Sequence, residues 1–207
     1  MKDIKNILFD LGGVLYHIDY NLTKKAFEKL GVNDFNTYYS QQQQNELFDN
    51  LETGKISSKE FISKMLEILP GSSEEDVVDA WNALLIGFTK ENINLLKYLS
   101  GKYKLYLLSN TNAIHIEKIN NDLQDLFGYT ALNEFFIKTY LSHEIGRRKP
   151  DIETFEWLLK DAGIKAEETL FIEDSVQHIE SANKVNMKTV LWDTNKPITA
   201  FFLDKAL

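Results

Sequence analysis

The sequence predicts an α/β fold, a parallel sheet with helices on both faces, into which a group of helices is inserted. Three observations predict it. A strand-length apolar run opens the chain, and from about residue 90 onward similar runs alternate with helix-length stretches, the pattern of parallel strands joined by crossovers. The residues between show helical spacing instead. Polar, chemistry-bearing residues follow several of the apolar runs, and in open α/β sheets that edge is where ligands bind.

Residues 4–9 read as a buried strand, because Ile4, Ile7, Leu8 and Phe9 form a nearly continuous apolar run that ends on Asp10 and a Gly12-Gly13 turn. From about Asn21 to Phe88 the apolar residues recur at helical spacing: Phe27 and Leu30, Leu47 and Leu51, Phe61, Met65 and Leu69, then Val77, Trp81 and Leu84. Ser57 with Glu60, and Ser72 with Glu75, carry capping-box signatures. Gly31, Gly54 and Pro70-Gly71 punctuate this segment, which reads as an inserted four-helix bundle. The glutamines at 41–44 fit a helix and are too few for a low-complexity tract.

Beyond it, a helix near Glu91–Leu99 leads into a strand at Lys104–Leu108 that ends in Ser109-Asn110-Thr111-Asn112. A helix over 113–127 and a strand over Phe135–Leu141 follow. A helix over 151–162 precedes the strand Leu170–Ile172, which ends in Glu173-Asp174-Ser175. A helix at 176–186, a strand at Thr189–Trp192 and a short terminal helix complete the pattern.

The composition is that of a soluble globular chain: 207 residues, 43% hydrophobic and 26% charged. Absence of cysteine removes thiolate metal sites and a cysteine nucleophile, and suits a reducing compartment. No signal peptide or membrane span is read in the chain, so a cytoplasmic setting without membrane partners is expected. A formal net charge of -8 argues against nucleic acid, whose binding rests largely on phosphate neutralisation. Residues 15–89 carry 6 Lys/Arg against 12 Asp/Glu, while Arg147-Arg148-Lys149 forms a dense basic cluster suited to a small anion.

Four strings then stand at corresponding places: LFDLGGVL (8–15), LLSNTN (107–112), GRRKPD (146–151) and FIEDS (171–175). Each alone is ordinary turn or cap chemistry. Their order, their placement after apolar runs and the helical insertion after the first string resemble the haloacid dehalogenase superfamily of phosphohydrolases over nearly the whole chain. Within it the sequence is similar to bacterial phosphatases of sugar 1-phosphates.

That resemblance implies a Rossmann-like catalytic core over residues 1–15 and 90–207 and a helical cap over 16–89. It implies a magnesium-dependent phosphatase of a small phosphorylated metabolite such as a hexose 1-phosphate. Asp10 would be the nucleophile that forms an aspartyl-phosphate. Mg2+ would be held by Asp10, the Gly12 carbonyl and Asp174, with Glu173 orienting its water. Ser109, Asn110 and Arg148 would bind the phosphate, and Lys149 would balance charge and steady Asp10. The cap hinge would lie near Tyr16–Tyr20 and Gly87–Lys90.

One position departs from the family. Where most of its phosphatases carry a second aspartate, the acid that protonates the leaving group, this chain has Gly12. Acid-base help of that kind is worth roughly a hundred- to ten-thousandfold. His17, Asp19 or His143 are candidates to replace it; alternatively an acidic leaving group, as in a sugar 1-phosphate, needs less help. A catalytically weak phospho-ligand-binding protein and a metal-free haloacid dehalogenase are the competing readings, and the acidic pair Glu173-Asp174 speaks against the second.

Overall fold

A computed structural model describes residues 3–33, 35 and 45–203. The glutamines at 41–44 lie outside the described residues. The chain begins with β1 (Asn6–Phe9) and β2 (Tyr16–Ile18), followed by helices α1 (Tyr20–Leu30), α2 (Glu46–Glu52), α3 (Ser58–Ile68) and α4 (Glu74–Asn82). Next come β3 (Leu85–Phe88), α5 (Lys90–Ser100), β4 (Lys104–Ser109), α6 (Ala113–Phe127), β5 (Lys138–Leu141) and the short α7 (Ser142–Ile145). The chain continues through α8 (Ile152–Ala162), β6 (Thr169–Glu173), α9 (Val176–Lys184), β7 (Lys188–Leu191) and α10 (Thr199–Leu203).

Five strands form one parallel sheet in the order β5-β4-β1-β6-β7. The central strand β1 is flanked by β4 and β6, with Phe9 in register beside Leu107 and Ile172. Alternation sorts the side chains of these strands to the two faces. Ile7, Phe9, Leu105, Leu107 and Ile172 pack with Leu96 and Leu99 of α5 and Leu123 of α6. Leu8, Leu108 and Phe171 point the other way, onto Phe155 and Leu158 of α8 and Ala182 of α9. Both faces are therefore covered, which is why these strands read as nearly continuous apolar runs.

Helices α1 to α4 surround a separate apolar cluster of Phe27, Phe48, Phe61, Met65, Val77 and Trp81. The Ser57–Glu60 capping box starts α3 as expected, with Ser57 N donating to Glu60 Oε2 at 2.8 Å and Glu60 N to Ser57 Oγ at 3.2 Å. At α4 the box falls one residue later than expected, on Ser73 and Asp76. The Ser72 amide already donates to the Leu69 carbonyl in the preceding turn, so Ser73 is the residue whose amide needs the carboxylate.

Two further expectations are corrected. Leu84 does not continue α4; Leu85–Phe88 pairs antiparallel with Tyr16–Ile18 as a two-stranded ribbon where the insertion leaves and rejoins the sheet. Strands this short are too brief to register as alternation. The strand expected over Phe135–Leu141 begins only at Lys138, because Leu132–Glu134 form a 3₁₀ turn that tucks Phe135 and Phe136 into the core. Among the described residues no helix is long and apolar enough to cross a membrane.

Candidate active site

Strand β1 delivers Asp10 to the carboxyl edge of the sheet, where its amide donates to the Ile172 carbonyl of β6 at 3.0 Å. The neighbouring strand β6 delivers Glu173 and Asp174 to the same edge. Gly13 explains how closely the two strand ends approach. Its φ of +79° favours glycine, and a Cβ there would stand 2.5 Å from Asp174 Oδ2. Lys149 reaches in from the loop between α7 and α8, and its Nζ lies 2.6 Å from Asp10 Oδ1 and 2.6 Å from Glu173 Oε2. Lys149 and Glu173 are each 1% exposed, so this ion network is shielded from solvent.

Carboxylate oxygens of Asp10, Glu173 and Asp174 lie within 4.8 Å of one another, against one buried ammonium. Burial and Glu173 push Asp10 up to about 7 despite the pull of Lys149. Burial, Asp10 and Glu173 push Asp174 up to about 8. Burial would also raise Glu173, but Lys149 and His178 hold it below the usual carboxylate range. Burial opposes the charge on Lys149, and its two carboxylate neighbours outweigh that effect and raise it. An all-oxygen donor set with excess negative charge fits a hard divalent cation. Glu173 is engaged elsewhere: Oε2 faces Lys149, and Oε1 accepts from the amides of Asp174 at 3.0 Å and Ser175 at 3.1 Å.

At the end of β4, Ser109 and Asn110 line the same cavity, of about 690 Å³. Reciprocal hydrogen bonds tie Asn110 to the lysine loop: Nδ2 donates to the Lys149 carbonyl at 2.8 Å, and the Lys149 amide donates to Oδ1 at 2.9 Å. Ser142 Oγ clamps the next residue, accepting from the Thr111 amide and donating to its carbonyl, both at 2.9 Å.

Helix α2 closes the other side with Glu46, Asp49 and Glu52, whose three-residue spacing places them on one face toward the cavity. Arg148 spans the gap to that helix, 2.6 Å from Asp49 Oδ1 and 3.3 Å from Glu52 Oε2. A second link lies where Trp81 of α4 stacks on His115 of α6 at 4.6 Å, while its indole donates to Asn112 Oδ1 at 3.4 Å.

The family model of the haloacid dehalogenase-like hydrolases matches residues 7–192, most of the chain. The chain belongs to the haloacid dehalogenase-like hydrolases. It is 36% identical over 192 residues, 90% of each chain, to a D-ribitol-5-phosphate phosphatase of Bacteroides thetaiotaomicron. Its fold matches a solved haloacid dehalogenase-family enzyme of that organism, an alanine variant in complex with magnesium and inorganic phosphate. The TM-score is 0.91 at 32% identity, over 96% of this chain and 98% of the other. A haloacid dehalogenase-like hydrolase from Porphyromonas gingivalis matches at a TM-score of 0.88 and 30% identity, over 99% and 98% of the two chains.

In this haloacid dehalogenase-like hydrolase the expected residues Asp10, Gly12, Ser109, Asn110, Arg148, Lys149, Glu173 and Asp174 all line one cavity. Arg148 is there, but its guanidinium turns to the acids of α2 rather than to the carboxylate cluster. His17, Asp19 and His143 do not line the cavity. His17 is exposed on β2, and Asp19 caps α1 by accepting from the Asn21 amide. His143 lies on α7, whose backbone meets the Gly54 turn. Sequence reasoning passed over Tyr20, Glu52, His115 and His178, which all line the cavity. The acidic i, i+3, i+6 spacing on α2 was a signal available for Glu52; the others sit at helix positions that look ordinary.

Proposed function

We propose that the chain is a magnesium-dependent phosphatase of a small phosphorylated metabolite, a sugar or sugar-alcohol phosphate, that works through an aspartyl-phosphate on Asp10. The carrying observation is the cluster in which Lys149 grips Asp10 while Asp174 stands beside it. The 36%-identical relative, a D-ribitol-5-phosphate phosphatase, supports the substrate class. In this reading residues 1–15 and 90–207 are the catalytic core, residues 16–89 are the cap, and a cytoplasmic setting is part of the proposal.

Asp10 and Asp174, with the Gly12 carbonyl, would hold Mg2+, which when bound offsets phosphate charge so that a carboxylate can approach it. Asp10 then attacks phosphorus in line. Lys149 keeps the Asp10 carboxylate aimed and adds positive charge beside the transferring group. Ser109 and the Asn110 amide receive the phosphoryl oxygens, and Asn110 fixes Lys149 through its backbone. Glu173 holds Lys149 and orients water. The acids of α2 suit a polyhydroxy tail, whose hydroxyls donate to them, and disfavour a second phosphate. Arg148 steadies those acids from the loop that carries Lys149.

A metal-free dehalogenase has no use for three carboxylates within 4.8 Å. The binding-protein reading rests on Gly12 alone. Phosphate release with Mg2+ from ribitol 5-phosphate, a hexose 1-phosphate and an aryl phosphate tests the proposal. Turnover lost in Asp10→Asn and with a chelator supports it. Retained ligand binding with no turnover on any of them overturns it in favour of a binding protein.

A further inference from the structure

We propose that Tyr20 supplies the hydrogen bond, and on bond cleavage the proton, to the leaving oxygen, the task that Gly12 cannot perform. The inference rests on the phosphatase reading above. Gly12 has no side chain to offer the leaving oxygen, and the atom that a Cβ there would meet is the end of the Ile18 side chain, Cδ1 at 2.9 Å. Two residues beyond Ile18, at the start of α1, Tyr20 lines the same cavity as Asp10, Gly12 and Asp174. Its ring packs against the apolar cluster of α1–α4, so its position follows that segment rather than the sheet. The cavity it lines runs from Asp10, Glu173 and Asp174 at the sheet edge to Glu52 of α2. A leaving oxygen, bonded on one side to phosphorus and on the other to the sugar, belongs in that interval.

The cavity histidines are poorly suited to the task. His115 Nδ1 faces Asn82 Oδ1 at 2.9 Å, so Nδ1 carries the hydrogen and Nε2 a lone pair. His178 Nδ1 lies 3.0 Å from Glu173 Oε2, turned to the carboxylate that also holds Lys149. Burial and the surrounding carboxylates raise the Tyr20 phenol above its ordinary value, so it is protonated, and a donor, at neutral pH.

The step balances. As an Asp10 oxygen bonds to phosphorus, the ester P–O bond breaks and its electron pair goes to the sugar oxygen, which takes the Tyr20 proton. The water that then cleaves the aspartyl-phosphate returns a proton to the Tyr20 oxygen and restores both groups.

The test compares wild type and Tyr20→Phe on nitrophenyl phosphate, whose leaving oxygen needs no proton, and on ribitol 5-phosphate or another alkyl phosphate that wild type hydrolyses. The expected result is a kcat lower by roughly a hundredfold on the alkyl phosphate, with nitrophenyl phosphate within about threefold of wild type. Phenylalanine keeps the ring packing, so a purely structural role would lower both rates together. Equal losses, no loss, or a change confined to KM would each overturn the inference. Failure of wild type on every phosphate ester would overturn the phosphatase reading itself, and this inference with it.

Discussion

Gly54 packs against the carbonyl oxygen of His143 so closely that a Cβ at Gly54 would stand 2.1 Å from it. The contact joins the turn after α2 to the short helix α7 at the edge of the sheet, and the φ of +68° at Gly54 disfavours any other residue there. Gly54→Ala therefore pushes away the helix that carries Asp49 and Glu52. Its KM for the sugar phosphate is expected to rise about tenfold, since misplacing groups by about an ångström has effects of that order or more. Nitrophenyl phosphate, which needs no contact with α2, should be turned over at nearly the wild-type rate. Steady-state kinetics on the two substrates checks both expectations.

Lys149→Met keeps the apolar stem and removes the charge. Two buried carboxylates lose their counter-ion, and breaking a buried ion pair from one side costs about 3 kcal/mol. Urea unfolding should show that loss, while turnover falls at least about a hundredfold because charge stabilisation at the phosphoryl group goes with it.

Mg2+ at about a hundred times its dissociation constant should stabilise the protein by about 2.7 kcal/mol. For a chain of this size that raises the melting temperature by about 5–10 °C. Asp174→Asn should abolish the increment, and a calorimetric scan with and without the ion measures it.

His115 supplies a pH dependence away from the carboxylate cluster. Burial lowers it from an ordinary 6.5 to about 3, so it stays neutral in the folded protein. The unfolded chain takes up that proton first. The stability that neutral His115 contributes is therefore fully present above pH 6.5 and is lost as pH falls toward 3. Within that window the loss is about 1.4 kcal/mol per pH unit. Because Asp10 and Asp174 titrate in the opposite sense, the readout is the difference between wild type and His115→Gln in urea unfolding between pH 7 and 5. The gap between the two should shrink as the pH falls.

The sheet was legible because its strands are covered on both faces: Ile7-Leu8-Phe9 and Leu170-Phe171-Ile172 carry their burial in composition alone. The carboxylate cluster was legible for a related reason, since parallel strands end at one edge and the residues after them converge there. The β2–β3 ribbon was not, because each strand is three or four residues long and the two are separated by the whole insertion. Arg148 lines the cavity, but its pairing with Asp49 and Glu52 is a contact across 96 to 99 residues that no local pattern encodes. His17 and Asp19 stand just before Tyr20 in the sequence, yet of the three only Tyr20 lines the cavity. Nothing local marks it, since a tyrosine at the first position of a helix looks like an ordinary packing residue.

The ribbon has a consequence for how such a molecule can change. Ile18 and Leu85 stand opposite each other as strand partners, so the insertion begins and ends at neighbouring points. A two-residue turn joining those points would close an ordinary hairpin. Every backbone pairing of the five-stranded sheet would survive, since none of its strands lies between them. Lengthening, trimming or exchanging everything between those two residues is thus an edit at a single doorway: the carboxylates and lysine at the sheet edge stay, while the groups that face the rest of the substrate, Tyr20 among them, change together.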